Sequence, residues 1–248
     1  MMTPEIPIHQ ATGEAGSGRV YLIPSFLHEH TPHVIPPYVR DILCSLRHFF
    51  VENERTARRF IKEVIPDMPI AALHLYPMNQ HEMPDLSLAK KLWKQGIHIG
   101  IISEAGYPCI ADPGQAVVLA AHEAGVTVLP LVGPSSILMA LGASGMNGQN
   151  FQFTGYLPVK QPARIQALRE LEKRSRQLGQ TQIFIETPYR NHSLFNDILQ
   201  CCQDQTWLCI AAEITGPEEF IQTKRISDWK KQLPALHKKP AIFLLSAG

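Results

Sequence analysis

Two acidic residues in a loop rich in glycine and proline are the first candidates for chemistry in this chain. Glu104 and Asp112 lie in the segment 103–114, whose glycines permit close approach of a ligand and whose prolines restrict the backbone. A rigid loop that carries a carboxylate suits the hydroxyls of a ribose or a cationic ligand. Asp112 stands before Pro113 and an apolar run, which favours a role as the N-cap of a helix. We therefore expect Glu104 to contact a ligand and Asp112 to be structural.

A second loop, 133–136, begins a helical run that is apolar almost all round. Such a helix is expected to be buried. The free N–H groups of its first turn, next to Ser135 and Ser136, predict a polar ligand site. Ordinary helix capping by serine is the alternative. The chain has no Ser-His-Asp order, no phosphate loop and no G-x-G-x-x-G, so hydrolysis and dinucleotide chemistry lack their motifs.

Short apolar runs rich in β-branched residues come directly before both loops, at 97–102 and 126–132. This pattern is typical of buried parallel strands, which present their loops at the carboxyl edge of a sheet, where ligands of open α/β sheets bind. Helical and strand runs alternate along the chain, which predicts an α/β fold. A polar run at 147–150 indicates a hinge. We predict a flexible tail over 1–18, an N-terminal α/β domain over 19–148 and a C-terminal α/β domain over 149–248.

Several motifs in a fixed order resemble the tetrapyrrole-methylase-like family of S-adenosylmethionine-dependent methyltransferases. The motifs that carry the resemblance are Ser103–Pro108, Asp112–Gly114, Pro130–Ser136, Phe151–Pro158, Ile185–Arg190 and Ala211–Thr215. The similar region runs from about Arg19 to the C-terminus. It looks most like the branch that methylates a cytidine ribose 2′-hydroxyl of bacterial small-subunit ribosomal RNA. The branch has a His/Asn/Glu-rich loop where this chain has Asn79–Glu82.

The resemblance implies two α/β lobes, with a mainly parallel sheet in the first, a mixed sheet in the second and a cofactor cleft between them. It also implies ribosomal RNA as a partner, a homodimer and S-adenosyl-L-methionine as the cofactor. The cofactor-binding residues that it implies are Glu104, Ala105, Gly106, Pro108, Cys109, Ile110, Ser135, Ser136, Ile185, Thr187 and Ala212.

The segment after the second predicted strand departs from the Glu-Asp-Thr-Arg pattern of the branch. It keeps Glu52 and Arg55 but has Asn53 and Glu54 between them. One interpretation places Glu52, Asn53 and Arg55 at the substrate end of the cleft. A helix start capped by Asn53 is an equally good alternative. The segment 24–29 also lacks the glycine that the family has after its first strand.

Methyl transfer to a hydroxyl needs a proton acceptor, and three glutamates are candidates. They are Glu52, Glu104 and Glu186, which the sequence alone does not rank. We predict catalytic roles for Glu52, Glu186 and Arg55, and substrate binding by Asn53 and Arg190. A salt bridge at a helix entry is an equally good explanation of Arg190.

Basic residues are concentrated in two predicted helices. Arg55, Arg58, Arg59 and Lys62 share one helix face, which suits a phosphate backbone. A second basic segment over 160–176 includes Arg164. Each is either an RNA-facing surface or a solvated helix face, and the solvated face is the commoner explanation.

Composition limits the remaining classes. The chain has 248 residues, of which 45% are hydrophobic and 18% charged, and a formal net charge of +1, so any RNA contact must come from a local patch. Its five cysteines form no C-x-x-C pair, and no basic-plus-apolar signal segment opens the chain. We therefore expect reduced thiols in the cytoplasm, no membrane span and no metal site.

These observations favour an S-adenosylmethionine-dependent methyltransferase that acts on a ribose 2′-hydroxyl of ribosomal RNA. Two alternatives stay open. One is an enzyme of the same fold that methylates a small molecule such as a tetrapyrrole. The other is a non-catalytic module that binds S-adenosylmethionine.

Overall fold

The computed structural model describes residues 18–78 and 83–248, which form two compact units. Unit one covers the described residues up to Phe26 and Pro32–Pro134, and unit two covers Leu27–Thr31 and Ser135–Gly248. The tail predicted over 1–18 lies outside the described residues except for Gly18. The loop Asn79–Glu82 lies outside them as well.

Unit one contains a five-stranded sheet in which all neighbouring strands are parallel. Its strands are β1 (Arg19–Leu22), β2 (His48–Val51), β3 (His74–Pro77), β4 (Ile99–Ile102) and β5 (Thr127–Pro130). Their spatial order is β3-β2-β4-β1-β5. The predicted parallel sheet of the first lobe is confirmed. Its strands are short apolar runs because both faces of the sheet are covered.

Four helices cover the two faces of this sheet. They are α1 (Pro37–Ser45), α2 (Glu54–Val64), α3 (Leu86–Lys94) and α4 (Gln115–Glu123). Buried residues of α1 and α2 share one apolar cluster with the sheet, and those of α3 and α4 share another. In the central strand, a Cβ added at Gly100 would lie 2.6 Å from Phe49 Cδ1 and 2.7 Å from Ile23 Cδ1. A side chain at Gly100 would therefore push the helix-covered layers apart.

Unit two contains a mixed five-stranded sheet, as predicted for the second lobe. Its strands are β6 (Phe151–Tyr156), β7 (Thr181–Glu186), β8 (Trp207–Ala212), β9 (Phe220–Arg225) and β10 (Ala241–Ser246). The order is β6-β7-β10-β8-β9; β6 and β7 are parallel and the other pairs are antiparallel. β6, β7 and β8 therefore end at the same edge of the sheet.

The helices of unit two lie on both faces of its sheet. They are α5 (Ser136–Ser144), α6 (Ala163–Leu178), α7 (Asn191–Cys201) and the single turn α8 (Ile226–Trp229). Buried residues of α5 pack on one face, and those of α6, α7 and α8 pack on the other. The units thus divide the chain before α5, whereas the predicted boundary at 148/149 lies after it. The domain boundaries predicted from the sequence therefore stay a prediction.

Helix α5 is not buried on all sides, which corrects the expectation from its composition. Ile137, Ala140 and Leu141 are buried against the sheet, but Leu138 is 59% exposed and Met139 is 38% exposed. The apolar composition therefore did not indicate which face is covered. Among the described residues, no helix is both long and apolar enough to span a membrane.

Candidate functional site

Two glutamates of unit one meet at the carboxyl edge of the parallel sheet. Glu52 directly follows β2, and Glu104 follows β4 after Ser103. The backbone N–H of Glu104 donates to Glu52 Oε2 over 3.0 Å, which fixes the start of the loop against the end of β2. Thr56 Oγ1 lies 3.5 Å from Glu104 Oε1, at the limit of a hydrogen bond. The Glu104 side chain is otherwise exposed and available to a ligand.

A third carboxyl, that of Asp112, lies close to these two and corrects the interpretation of Asp112 as a helix cap. Helix α4 has Gly114 at its N-cap, with no side-chain cap bond. The pKa of Asp112 is raised to about 7. Burial is the main cause, followed by the charge of Glu52, and the charge of Glu104 adds a smaller increase. A hydrogen bond with the Ser103 hydroxyl acts in the opposite direction and lowers the pKa. Asp-Pro-Gly is a common helix-start signal, which is why the sequence favours a cap at Asp112 although the structure shows none.

Glu52 is the second carboxyl of this group with a changed proton affinity. Burial raises the pKa of Glu52, the hydrogen bond from the Glu104 N–H lowers it, and the charge of Glu104 raises it again. We call Glu52, Glu104 and Asp112 the acidic cluster. Its members come from the ends of two neighbouring strands, as expected for side chains at a ligand-binding edge of a parallel sheet.

The loop that carries Glu104 and Asp112 has an unusual backbone. Cys109 (φ 67°) and Ala111 (φ 66°) are left-handed although each has a side chain, which costs on the order of 1 kcal/mol each. Gly114 (φ 124°) is also required, since a Cβ there would lie 2.8 Å from Cys109 Sγ. Burial and the charge of Asp112 raise the pKa of the Cys109 thiol to about 11, so this thiol stays neutral at physiological pH.

The segment after β1 holds this loop in place. Ser25 N–H donates to the Gly106 carbonyl over 2.9 Å, Gly106 N–H donates to the Phe26 carbonyl over 3.3 Å, and Ser25 Oγ donates to the Ser103 carbonyl over 3.1 Å. The segment that lacks the family's glycine therefore supports the loop through its backbone. Of the predicted cofactor-binding residues here, Glu104, Ala105 and Ile110 are exposed, Cys109 is half-buried, and Gly106 and Pro108 are buried.

Asn53 is the N-cap of α2. Its Oδ1 accepts from the backbone N–H of Arg55 over 2.9 Å and of Thr56 over 3.3 Å. The capping interpretation is thus observed, while substrate binding by Asn53 stays a prediction. Arg55 is exposed, and Arg58 pairs with Glu54 over 2.8 Å on the same helix.

In unit two the predicted site residues lie at the shared end of β7 and β8 and at the start of α5. Ile185 and Thr187 are half-buried, and Ala212 is buried. Ser135 is the N-cap residue of α5, yet its hydroxyl makes no capping bond. The alternative of ordinary capping by Ser135 is therefore wrong, and the first turn of α5 keeps polar groups for another partner.

Glu186 sits in a buried ion network. Its Oε1 accepts from the Thr187 N–H over 2.7 Å, from Arg190 Nε over 2.9 Å and from Arg190 Nη2 over 2.6 Å. Its Oε2 has no hydrogen-bond partner among the described residues, and Arg164 Nη1 is 4.0 Å away. The salt bridge given as the alternative for Arg190 is thus present, and phosphate binding by Arg190 stays a prediction.

Arg164 completes this network and is not on a solvated or RNA-facing surface. It is 3% exposed, and its guanidinium binds Asp197 of α7. Its Nη1 donates to the Val159 carbonyl over 3.1 Å and its Nη2 to Ser193 Oγ over 2.7 Å. Within this basic segment, Lys160, Arg169, Lys173 and Arg176 are exposed.

The turn after β8 is strained and braced by a residue of the Leu27–Thr31 segment. Glu213 (φ 53°) and Thr215 (φ 69°) are left-handed. His28 Nε2 lies 3.2 Å from Glu213 Oε2, and a Cβ at Gly216 would lie 2.5 Å from His28 Cδ2. His28 therefore fixes the turn that follows Ala212. Among residues 18–78 and 83–248, no group of three or more His, Cys, Asp or Glu side chains could hold a metal ion.

Comparisons with known proteins give a consistent group of relatives. No family model matches the chain. A Vibrio cholerae protein named ribosomal RNA small subunit methyltransferase I is 35% identical over 182 residues, which are 73% of this chain and 60% of that protein. Proteins of the same name from Micromonospora olivasterospora (30% over 220 residues, 89% and 67%) and Escherichia coli (28% over 227 residues, 90% and 76%) are also similar. The chain thus spans 60% of the length of the Vibrio cholerae relative.

Solved structures with the same fold are more distant in sequence. The methyltransferase CobJ has a TM-score of 0.61 and 19% identity, and the similarity covers 94% of this chain and 95% of CobJ. A uroporphyrin-III C-methyltransferase from Thermus thermophilus has a TM-score of 0.54 and 17% identity, with 92% and 94% covered. At these identities the two structures confirm the predicted two-sheet α/β fold and nothing further.

Proposed function

Because the chain belongs to the family of ribosomal RNA small subunit methyltransferase I, we propose that it transfers a methyl group from S-adenosyl-L-methionine to a ribose 2′-hydroxyl of ribosomal RNA. The observation that carries the proposal is the similarity to the Micromonospora olivasterospora protein, which extends over 89% of this chain. The names of the relatives favour ribosomal RNA over a tetrapyrrole. The fold alone is shared with both kinds of enzyme and does not separate them.

Residues of both units are proposed to bind the cofactor. In unit one they are Glu104, Ala105, Gly106, Pro108, Cys109 and Ile110. In unit two they are Ser135, Ser136, Ile185, Thr187 and Ala212. The donor set fits this cofactor, because an exposed carboxylate beside two further acids suits a ligand with a sulfonium and an ammonium charge. The uncapped first turn of α5 offers N–H groups and a hydroxyl to its carboxylate or hydroxyls.

The catalytic assignment keeps Glu52, Glu186 and Arg55, and the substrate assignment keeps Asn53 and Arg190. Glu52 is supported best, since it borders the loop of Glu104 and burial raises its pKa. Glu186 is already bound by Arg190, so a direct catalytic role would require that this ion pair open. Arg55 is exposed, so its guanidinium is accessible to a phosphate of the RNA.

The cofactor, when bound, supplies an activated methyl group on a sulfonium. The protein therefore has to align the acceptor and remove its proton, and alignment alone can supply several kcal/mol of the barrier. The loop 103–114 suits this task because two backbone hydrogen bonds of Gly106, with Ser25 and with Phe26, hold the loop in place. We also propose a homodimer that acts in the cytoplasm, where its RNA substrate would be assembled.

A transfer assay tests the activity. Purified protein, S-adenosylmethionine with a labelled methyl group and small ribosomal subunits from a strain that lacks this methylation should give labelled RNA. Nuclease digestion should then release a 2′-O-methylated nucleotide. Subunits from the parent strain, already methylated, serve as the control and should take up no label. Label on neither RNA, or label on a porphyrin instead, would contradict the proposal.

Calorimetry tests the cofactor site separately. We expect binding of S-adenosylmethionine, and we expect Glu104→Ala to weaken it more than Asp112→Ala, because Glu104 is the exposed member of the acidic cluster. Equal losses in the two variants would contradict this division of roles. Absence of both a heat change and protection against unfolding would contradict cofactor binding itself.

A further inference from the structure

Tyr189 is an exposed aromatic residue at the carboxyl edge of the sheet in unit two. It lies in the turn between β7 and α7 and is 75% exposed. The same turn carries Thr187, one of the proposed cofactor-binding residues. An aromatic ring contributes to stability mainly through burial, so a ring this exposed adds little to the fold. Its position at the edge where ligands are expected favours a role in binding.

The buried Glu186 holds the turn that carries Tyr189. Its Oε1 accepts hydrogen bonds from the Thr187 N–H over 2.7 Å and from Arg190 Nη2 over 2.6 Å. The Arg190 N–H donates to the Thr187 carbonyl over 2.9 Å and closes the turn. Both ends of the turn are therefore fixed, which lowers the entropy that is lost when the Tyr189 ring meets a ligand.

A second segment brings a positive charge to the same ring. Lys238 Nζ lies 6.0 Å from the centre of the Tyr189 ring, at the outer limit of a cation–π contact. Lys238 belongs to the loop before β10, and the carbonyl of the next residue, Lys239, accepts from Asn191 Nδ2 over 2.7 Å. Asn191 is fully buried at the start of α7. It therefore anchors the loop that carries Lys238 beside the turn that carries Tyr189.

Two histidines extend this surface. His192, in the first turn of α7, and His237, beside Lys238, are both exposed, and their ring centres are 6.4 Å apart. The nearby Lys239 pairs with Glu218 over 2.7 Å, so the charge of this glutamate is compensated. We call the aromatic surface the set of Tyr189, His192, His237 and Lys238. It offers flat rings and a cation to a ligand, and none of its members carries a negative charge.

This combination matches the chemistry of an unpaired nucleotide. Bases of single-stranded nucleic acids stack on exposed aromatic rings, and cations next to those rings bind the phosphates. The ammonium of Lys238 suits a phosphate, and the open face of Tyr189 suits a base. In a paired RNA helix the bases are stacked on one another and cannot reach such a ring. The aromatic surface therefore favours a single-stranded segment or a loop of RNA.

Other occupants agree less well with the aromatic surface. An apolar face of a partner protein would pair with apolar neighbours, whereas the neighbours of Tyr189 here are two histidines and a lysine. Within residues 18–78 and 83–248, no group of three or more His, Cys, Asp or Glu side chains could hold a metal ion, so the histidine pair does not indicate a metal site.

We propose that Tyr189 stacks on an unpaired base of the RNA substrate and that Lys238 binds a neighbouring phosphate. His192 and His237 complete the surface along which the RNA lies. The choice of RNA as the partner rests on the function proposed above. In this arrangement Glu186 and Asn191 act only through the two segments that they hold.

Binding of small ribosomal subunits from a strain that lacks this methylation tests the role of Tyr189. Tyr189→Ala should weaken binding by about 5- to 150-fold, and Tyr189→Phe should keep it, because stacking uses the ring and not the hydroxyl. Trp207→Ala is the matched control. The Trp207 ring also has a cation over it, Arg225 at 4.8 Å, but Trp207 begins β8 and so lies at the opposite edge of the sheet. This variant should bind the subunits as the wild type does.

The dependence of binding on salt separates stacking from phosphate contact. Lys238→Gln should reduce the slope of log affinity against log salt concentration by about 0.7, the value for one phosphate contact on a single strand. Tyr189→Ala should leave this slope unchanged, because stacking releases no counterions. Both variants should bind S-adenosylmethionine as the wild type does, and methyl transfer should show a raised KM for the subunits with kcat unchanged.

Several results would overturn the proposal. They are a Tyr189→Phe variant that loses as much affinity as Tyr189→Ala, equal losses in Tyr189→Ala and Trp207→Ala, and a Tyr189→Ala variant that loses subunit and S-adenosylmethionine binding together. A Lys238→Gln variant with the salt slope of the wild type overturns the phosphate contact.

The outcomes also separate this proposal from the proposed function. A wild type that methylates the subunits, together with a Tyr189→Ala variant that binds and methylates them equally well, overturns the role of Tyr189 and leaves the function standing. A wild type whose binding to the subunits depends on Tyr189, but which transfers no methyl group to them, overturns the function and supports the RNA surface.

Discussion

The acidic cluster of unit one differs from the ion network of unit two in how the charge of its carboxylates is compensated. The ion network consists of Glu186, Arg190, Arg164 and Asp197. In both, a glutamate marks the carboxyl end of a strand that has neighbours on both sides: Glu52 after β2 and Glu186 at the end of β7. In unit two the guanidiniums of Arg164 and Arg190 compensate the charges of Glu186 and Asp197. In unit one the charges of Glu52 and Glu104 instead raise the pKa of Asp112. Carboxylates that are fully compensated stabilise a framework, whereas uncompensated ones keep their proton affinity for chemistry.

Arg164→Leu should have the largest effect, because it leaves the buried carboxylate of Asp197 without its cation. We expect a loss of about 3–5 kcal/mol in the free energy of unfolding. Denaturant unfolding of unit two, followed by the fluorescence of Trp207 and Trp229, measures it. Arg169→Leu, at an exposed position of the same helix, is the matched control and should change stability little. Equal effects of both changes would show that the network does not compensate charge as described.

Asn53→Ala should have a medium effect, because it removes the cap of α2. The expected cost is about 1 kcal/mol of stability, and Asn53→Asp should restore it since aspartate is an equally good cap. The methyl-transfer rate sharpens the comparison. If Asn53→Asp regains both stability and rate, Asn53 acts through the helix. If it regains stability alone, Asn53 belongs with the acidic cluster as a substrate contact.

Glu52→Gln should have the smallest effect on stability and a specific one on pH dependence. It removes the charge that most raises the proton affinity of Asp112, so the pKa of Asp112 should fall. The pH range in which ionisation of Asp112 lowers the free energy of unfolding should then move to lower pH by about one unit. Glu63→Gln, on the same unit but outside the cluster, is the control. Thermal unfolding at several pH values measures this shift, and a pH range that stays in place would show that the charge of Glu52 does not act on Asp112.

The fold could be predicted from the sequence because its signals are local. Apolar β-branched runs such as 97–102 and 126–132 became β4 and β5, and the loops after them carry the predicted residues. Contacts between distant segments could not be predicted. Arg164 is buried because Asp197, on another helix, binds it, and no periodicity of α6 shows this.

Asp112 illustrates the same limit within the site. Asp-Pro-Gly is compatible with a helix cap and with a strained turn, and the choice depends on left-handed angles at Cys109 and Ala111. Those angles are stabilised by the bonds between Gly106 and the segment after β1, about eighty residues earlier in the chain. Three acids in two strand-end loops, one after β2 and one after β4, were the available signal. The structure adds that both loops lie at the same edge of the sheet, because β2 and β4 are parallel neighbours.

The assignment of Leu27–Thr31 to unit two has a practical consequence for dissecting this protein. A fragment that starts at Ser135 would lack Leu27, which packs in the apolar cluster beneath α5, and His28, which braces the turn at Glu213. One cut in the gene therefore cannot yield both halves intact. A separately produced C-terminal half would need the missing five residues returned, either as an added peptide or through a circularly permuted chain.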